Sequence, residues 1–188
     1  MKEIFNKKKI SGRGRSFLTR GFSLIEMLVY ISVLTIILTS VFSFLIWVAH
    51  SSKKVSTMKE ALDNARRAME IMTYEIKGAS NVYAPTSVFG SSPGQLSLKT
   101  ARYLPADETS SYIDFYICGT RLCLKKESQN PIALTSDSVE INNLTFTQSV
   151  TGSGVAVRID LGVRYKNPHN RPEYDSAVNL QSAASIRY

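Results

Sequence analysis

The residue with the most chemical leverage is Glu26. It is the only charge in the apolar run LIEMLVYISVLTIILTSVFSFLIWVA, which extends from Leu24 to Ala49. A carboxylate near the start of a membrane-crossing helix either snorkels to the headgroups, is protonated, or meets a partner charge, and an intramembrane acid is a functional candidate by default. Just ahead of it, Gly21 has no side chain, so the catalytic groups of a peptidase could approach its carbonyl closely. Cleavage there would make Phe22 a new N-terminus with an amine charge that the uncut chain lacks. Two cysteines, Cys118 and Cys123, stand five positions apart. In a domain beyond a membrane segment they point to a disulfide in an oxidising compartment, against the alternative of two reduced thiols. A four-residue loop Gly119–Leu122 would set the two cysteines opposite each other. A two-residue turn at Gly119-Thr120 would pair Cys118 with Arg121 and make the bond harder.

No other constellation supports catalysis or cofactor binding. His50 and His169 lack metal-spaced partners, and no G-x-S-x-G is present. Asp107, Glu108, Glu173 and Asp175 read as solvated loop acids without the ligand alternation of a calcium loop. No metal, no cofactor and no enzyme activity are therefore expected. Arg66-Arg67 and Lys125-Lys126 are the candidates for contact with DNA. Without interleaved aromatics they read better as a solvated face.

The elements that must position these residues follow from charge and periodicity. Of the 23 Lys and Arg, seven fall in residues 1–21 (Lys2, Lys7, Lys8, Lys9, Arg13, Arg15 and Arg20) against the single acid Glu3. Most of the formal charge of +8 thus belongs to the leader rather than to a nucleic-acid-binding surface. Basic residues ahead of an apolar span place the N-terminus in the cytoplasm, with Trp47 and His50 at the far interface. A secretory signal has its apolar core before the cleavage site. Here the small residue precedes the core, so cutting at Gly21 removes the charge and keeps the helix.

No proline precedes Pro85, and no glycine lies between Gly21 and Gly78. Past the span, Val55, Met58, Leu62, Ala65, Met69, Met72, Ile76 and Ala79 recur at helical spacing. A helix over about 22–78 would be ~85 Å long at ~1.5 Å per residue. Its second half is amphipathic and needs something to pack against. After Gly78 a loop-rich stretch, 80–110, leads into strands with period-two alternation at Tyr112–Cys118, Arg121–Lys126, Val139–Gln148, Val155–Tyr165 and Ala177–Arg187. The expected fold is α+β: a long N-terminal helix, with a transmembrane half and an amphipathic half, packed on a small antiparallel β-sheet. The division is leader 1–21, membrane helix 22–50, amphipathic continuation 51–79 and extracytoplasmic sheet domain 80–188.

The run Gly21-Phe22-Ser23-Leu24-Ile25-Glu26-Met27-Leu28-Val29 closely resembles the cleavage and methylation signal of type IV pilins and pseudopilins. The resemblance implies a pilin-like fold, cleavage by a prepilin peptidase between Gly21 and Phe22, and N-methylation of Phe22. It also implies that Glu26 pairs with the Phe22 amine of a neighbouring subunit as the filament grows from an inner-membrane assembly platform. Ile113–Cys123 resembles the hairpin of J-type minor pseudopilins of type II secretion and W-type minor pilins. Val139–Phe146 and Ala184–Arg187 resemble later strands of the same group, and the paired cysteines depart from it. The implied partners are the peptidase, other pilin or pseudopilin subunits, the platform and membrane lipid. The implied location is the inner membrane as a single-pass protein, then a pilus or pseudopilus. The alternatives are a signal-anchored ectodomain and a pilus-borne adhesin or DNA-binding subunit.

Overall fold

The structure is a computed structural model that describes residues 21–102, 104, 106–151, 154–167 and 170–186. The leader up to Arg20, His169 and Arg187 lie outside the described residues. The chain divides into two compact units, Met1–Leu45 and Ile46–Tyr188.

A single 55-residue helix, α1 (Leu24–Gly78), occupies the expected stretch. It starts where the Met27 N–H reaches the Ser23 carbonyl, 3.2 Å away. It ends at Gly78, the first glycine after Gly21. With no interior Gly or Pro to break it, nothing in the sequence interrupts the backbone ladder. In the first unit the described residues, 21–45, are helical from Leu24 onward, and all are exposed. The stretch long and apolar enough to cross a membrane has no buried residue.

In the second unit the helix remains exposed as far as Ser56, and then one face closes. Thr57, Ala61, Ala65, Ala68, Met69, Met72 and Ile76 are buried. The lower part of this stripe is the one predicted. The upper part is not: Val55 is 62% and Met58 51% exposed. The packed face instead runs through Thr57 and two alanines. The Thr57 hydroxyl lies 2.9 Å from that of Ser176 and donates to the Glu173 carbonyl at 3.3 Å. A hydrogen-bonded polar group can be buried at little cost, and hydropathy alone does not place it there.

Eight strands form two antiparallel sheets rather than one meander. β1 (Asn81–Val82), β2 (Leu96–Thr100), β3 (Ser111–Cys118), β4 (Arg121–Lys126) and β5 (Ile132–Ala133) make the first, in that order. β6 (Val139–Thr151), β7 (Gly154–Tyr165) and β8 (Ala177–Ser185) make the second. β2 falls in the stretch read as loop-rich. Its Leu96 and Leu98 are fully buried, and Ser97 between them is buried with its hydroxyl donating to Asp114 Oδ1 at 2.6 Å. One hydrophobic cluster joins the lower helix to both sheets through Met72, Ile76, Leu98, Phe115, Phe146 and Ile159.

The second sheet shows how an irregular pattern becomes regular. Along β6, Val139 and Leu144 are buried and Ile141 packs on the core, so the inward positions switch parity. The register shift between Ile141 and Asn143 makes that switch by inserting Asn142 as a bulge. Opposite it, Gly162 leaves room for two asparagine side chains. A Cβ there would sit 2.3 Å from Asn142 Oδ1 and 2.8 Å from Asn179 Oδ1.

Candidate assembly site

Phe22, Glu26 and Tyr30 recur every four residues, the spacing that stacks side chains on one helix face. The Tyr30 hydroxyl donates to Glu26 Oε1 at 3.3 Å. The Phe22 ring stands edge-on to that of Tyr30, with centroids 6.4 Å apart and planes at 72°. Sequence reasoning named Phe22 and Glu26 but missed Tyr30; its i+4 spacing from Glu26 was the available signal. Among the described residues the ion pairs join Arg121 to Asp137, Arg158 to Asp160, Arg164 to Glu140 and Arg171 to Glu173, and none involves Glu26. As an acid in the first turn, Glu26 sits where the helix dipole favours a negative charge. A Cβ added at Gly21 meets no heavy atom within 4 Å. Among the described residues nothing crowds that position.

Residues 18–42 match the family model described as the prokaryotic N-terminal methylation motif. The chain is type IV pilin-like. No curated protein and no solved structure matches it.

The pilin-like architecture is present in full: one long N-terminal helix packed on antiparallel sheets. The matched motif implies processing by a prepilin peptidase and assembly with other pilin subunits.

Elsewhere in the chain, the β3–β4 hairpin takes the shorter of the two turns weighed above. Cys118 pairs with Arg121, and Cys123 with Tyr116. The turn is Gly119-Thr120, with Gly119 at a φ of 66°, the left-handed region such a tight turn needs. The cysteines are therefore diagonal rather than opposite. Their Cα atoms are nevertheless 5.8 Å apart and the sulfurs are joined. That separation lies inside the disulfide range. The two side chains share one face of the hairpin, and the strong twist of a two-residue hairpin brings one diagonal pair together.

Among the described residues no group of three His, Cys, Asp or Glu is placed to hold a metal. His50 lines a shallow groove with Trp47, Lys54, Pro172 and Glu173.

Proposed function

We propose that the chain is a structural, non-enzymatic subunit of a type IV pilus-like or type II secretion filament, and that it is a minor pilin or minor pseudopilin. The single observation that carries this reading is the methylation motif at residues 18–42, set on a helix whose first half is buried by nothing in its own chain. So long an apolar surface requires lipid first and other helices later. Prepilin peptidase cuts between Gly21 and Phe22 and methylates the Phe22 amine. The absent side chain at Gly21 serves the enzyme that approaches it. The freed amine of one subunit then pairs with Glu26 of another and sets the axial register. Cleavage must come first because the cation does not exist before it. The subunit crosses the inner membrane once, with the sheet domain on the far side, where Cys118 and Cys123 are oxidised.

The hairpin between β3 and β4, with its tight Gly119-Thr120 turn, supports placement in the J/W group. The competing reading is an ectodomain on a plain anchor, which predicts an uncut Gly21. The deciding experiment is mass spectrometry of the N-terminal peptide from cells with and without prepilin peptidase. The expected peptide begins at Phe22, carries one methyl group and is lost without the enzyme. An intact leader in both strains would overturn the proposal.

A further inference from the structure

Among the described residues the two sheets of the head have four edges; two are short, one is closed along half its length, and one is open throughout. β1 and β5 are two residues long. The outer edge of β6 is taken up along its first half: the Ile141 N–H donates to the Thr120 carbonyl at 2.8 Å, and the carbonyls of Leu144 and Phe146 accept from Gly94 and Gly90 at 2.8 and 2.9 Å. The fourth edge, β8, runs nine residues, Ala-Val-Asn-Leu-Gln-Ser-Ala-Ala-Ser, with no charge, no proline and no glycine. Charge and proline are among the devices by which native proteins blunt an edge.

The ladder shows which β8 groups remain available. Ile186 donates to the Val155 carbonyl and Tyr165 to the Ser176 carbonyl, at 3.0 and 2.9 Å. Bonding to β7 alternates along an antiparallel pair, so even-numbered β8 residues face β7. The N–H and C=O groups of Asn179, Gln181, Ala183 and Ser185 point the other way. The same alternation, read on β6, selects the positions whose outward bonds are seen. Beside the strand runs an open trough of about 500 Å³ between β8 and α1, lined by Arg66, Met69, Glu70, Tyr74, Lys77 and Leu180.

We infer that β8 accepts an added strand from a different subunit of the same filament, an inference that rests on the filament reading above. An edge of unpaired peptide groups is satisfied by another extended backbone. From Arg66 to Lys77 the helix advances ~16 Å, the span of about five strand residues. The added segment is thus about five residues long. Its central residue is apolar, against Met69 and Leu180, and it carries a carboxylate toward Arg66 or Lys77, which with Arg102 over the Tyr74 ring outnumber the single acid Glu70. Pairing of β8 with β8 of a second copy fits less well. β8 would pair with β8 only about a two-fold axis, which closes a dimer instead of extending a polar filament. The side chains that second strand brings, Val178, Leu180 and Ser182, carry no anion for the cations of the trough.

The test uses the full-length chain in cells that build the filament, with a photo-crosslinking residue in place of the exposed Gln181. A crosslink in sheared filaments to an extended segment of a different pilin-like subunit is the expected result. A crosslink to β8 of a second copy, to lipid only, or to nothing would overturn the proposal. Ala183→Pro removes an N–H that β7 does not use, so it should leave chain level and N-terminal maturation unchanged while lowering incorporation about tenfold or more. Ala183→Lys, which alters only an exposed side chain and blunts the edge, should act in the same direction. Ser182→Pro removes an N–H that β7 does use and should lower the level of the chain itself. Wild-type incorporation of both Ala183 variants would sink the strand-addition idea alone. A wild-type chain that is missing from filaments would sink the filament reading and this inference with it.

Discussion

The two halves of α1 share a backbone and differ in what they lack. From Gly21 to Ser56 every residue is exposed, including Leu24, Ile36 and Phe42. From Thr57 to Ile76 one face is closed by the chain's own sheets. The first half is an apolar surface that on the proposed reading meets lipid and then other helices, and the second is already half of a protein core. The difference teaches that function and stability are separable along one helix. Substitutions in the first half should register in assembly and leave the head's folding intact, and substitutions in the buried face of the second should do the reverse.

The largest expected effect is at Glu26. On the proposed pairing of Glu26 with a neighbour's Phe22 amine, removing one partner of a desolvated charge pair costs about 2–5 kcal/mol. Glu26→Ala should therefore reduce the chain in sheared filaments by about tenfold or more. Glu26→Gln should behave alike, because the amide keeps the shape and loses the charge. Neither should move the unfolding midpoint of the detergent-solubilised chain. Immunoblots of filaments alongside thermal melts would check both parts, and wild-type incorporation of either variant would remove Glu26 from the assembly mechanism.

Next comes Met72, fully buried in the cluster that joins helix and sheets. Met72→Ala should cost the head about 2–5 kcal/mol. Ile37→Ala, at a position 53% exposed in the first half, should change head stability by less than about 0.5 kcal/mol. Denaturant unfolding of the two variants side by side tests the division directly. Similar losses at both positions would show that the halves are not independent.

The hairpin bond is smaller. A crosslink closing a loop of this length, five positions apart, constrains the unfolded chain by about 2 kcal/mol in the entropic account. Replacing both cysteines by serine, or adding reductant to the wild type, should lower head stability by about that amount. An unchanged midpoint under reductant would mean that the thiols are free in the native protein.

Long-range simplicity is what made much of this legible. The signal Gly21–Val29 is contiguous, and the helix has no breaker for 55 residues, so neither needs tertiary information. β7 alternates cleanly and reads directly as a strand. β2 was hidden because Pro85, Pro93 and Gly94 crowd its approach, although Leu96-Ser97-Leu98 carries the alternation in miniature. The division into two sheets was not legible at all, since pairing partners are a long-range property. The β6 bulge is visible only as a slip in parity, Val139 and Ile141 giving way to Leu144 and Phe146. The diagonal disulfide depends on hairpin twist, which spacing does not encode.

The smallest effect sharpens the comparison most, because it lies on the amphipathic half itself. Val55 and Met69 belong to one periodic stripe by spacing, yet Val55 is 62% and Met69 8% exposed. If burial decides, Val55→Ser should shift head stability by less than about 0.5 kcal/mol. Met69→Ser, which loses buried apolar atoms and adds a hydroxyl, should cost several times more. Urea unfolding of the two variants at equal protein concentration separates them. A large loss at Val55 would mean that the packed face starts earlier than Thr57 and follows the sequence stripe after all. A negligible one would assign Val55, with the exposed Met58 one turn on, to the surface the first half offers to its neighbours.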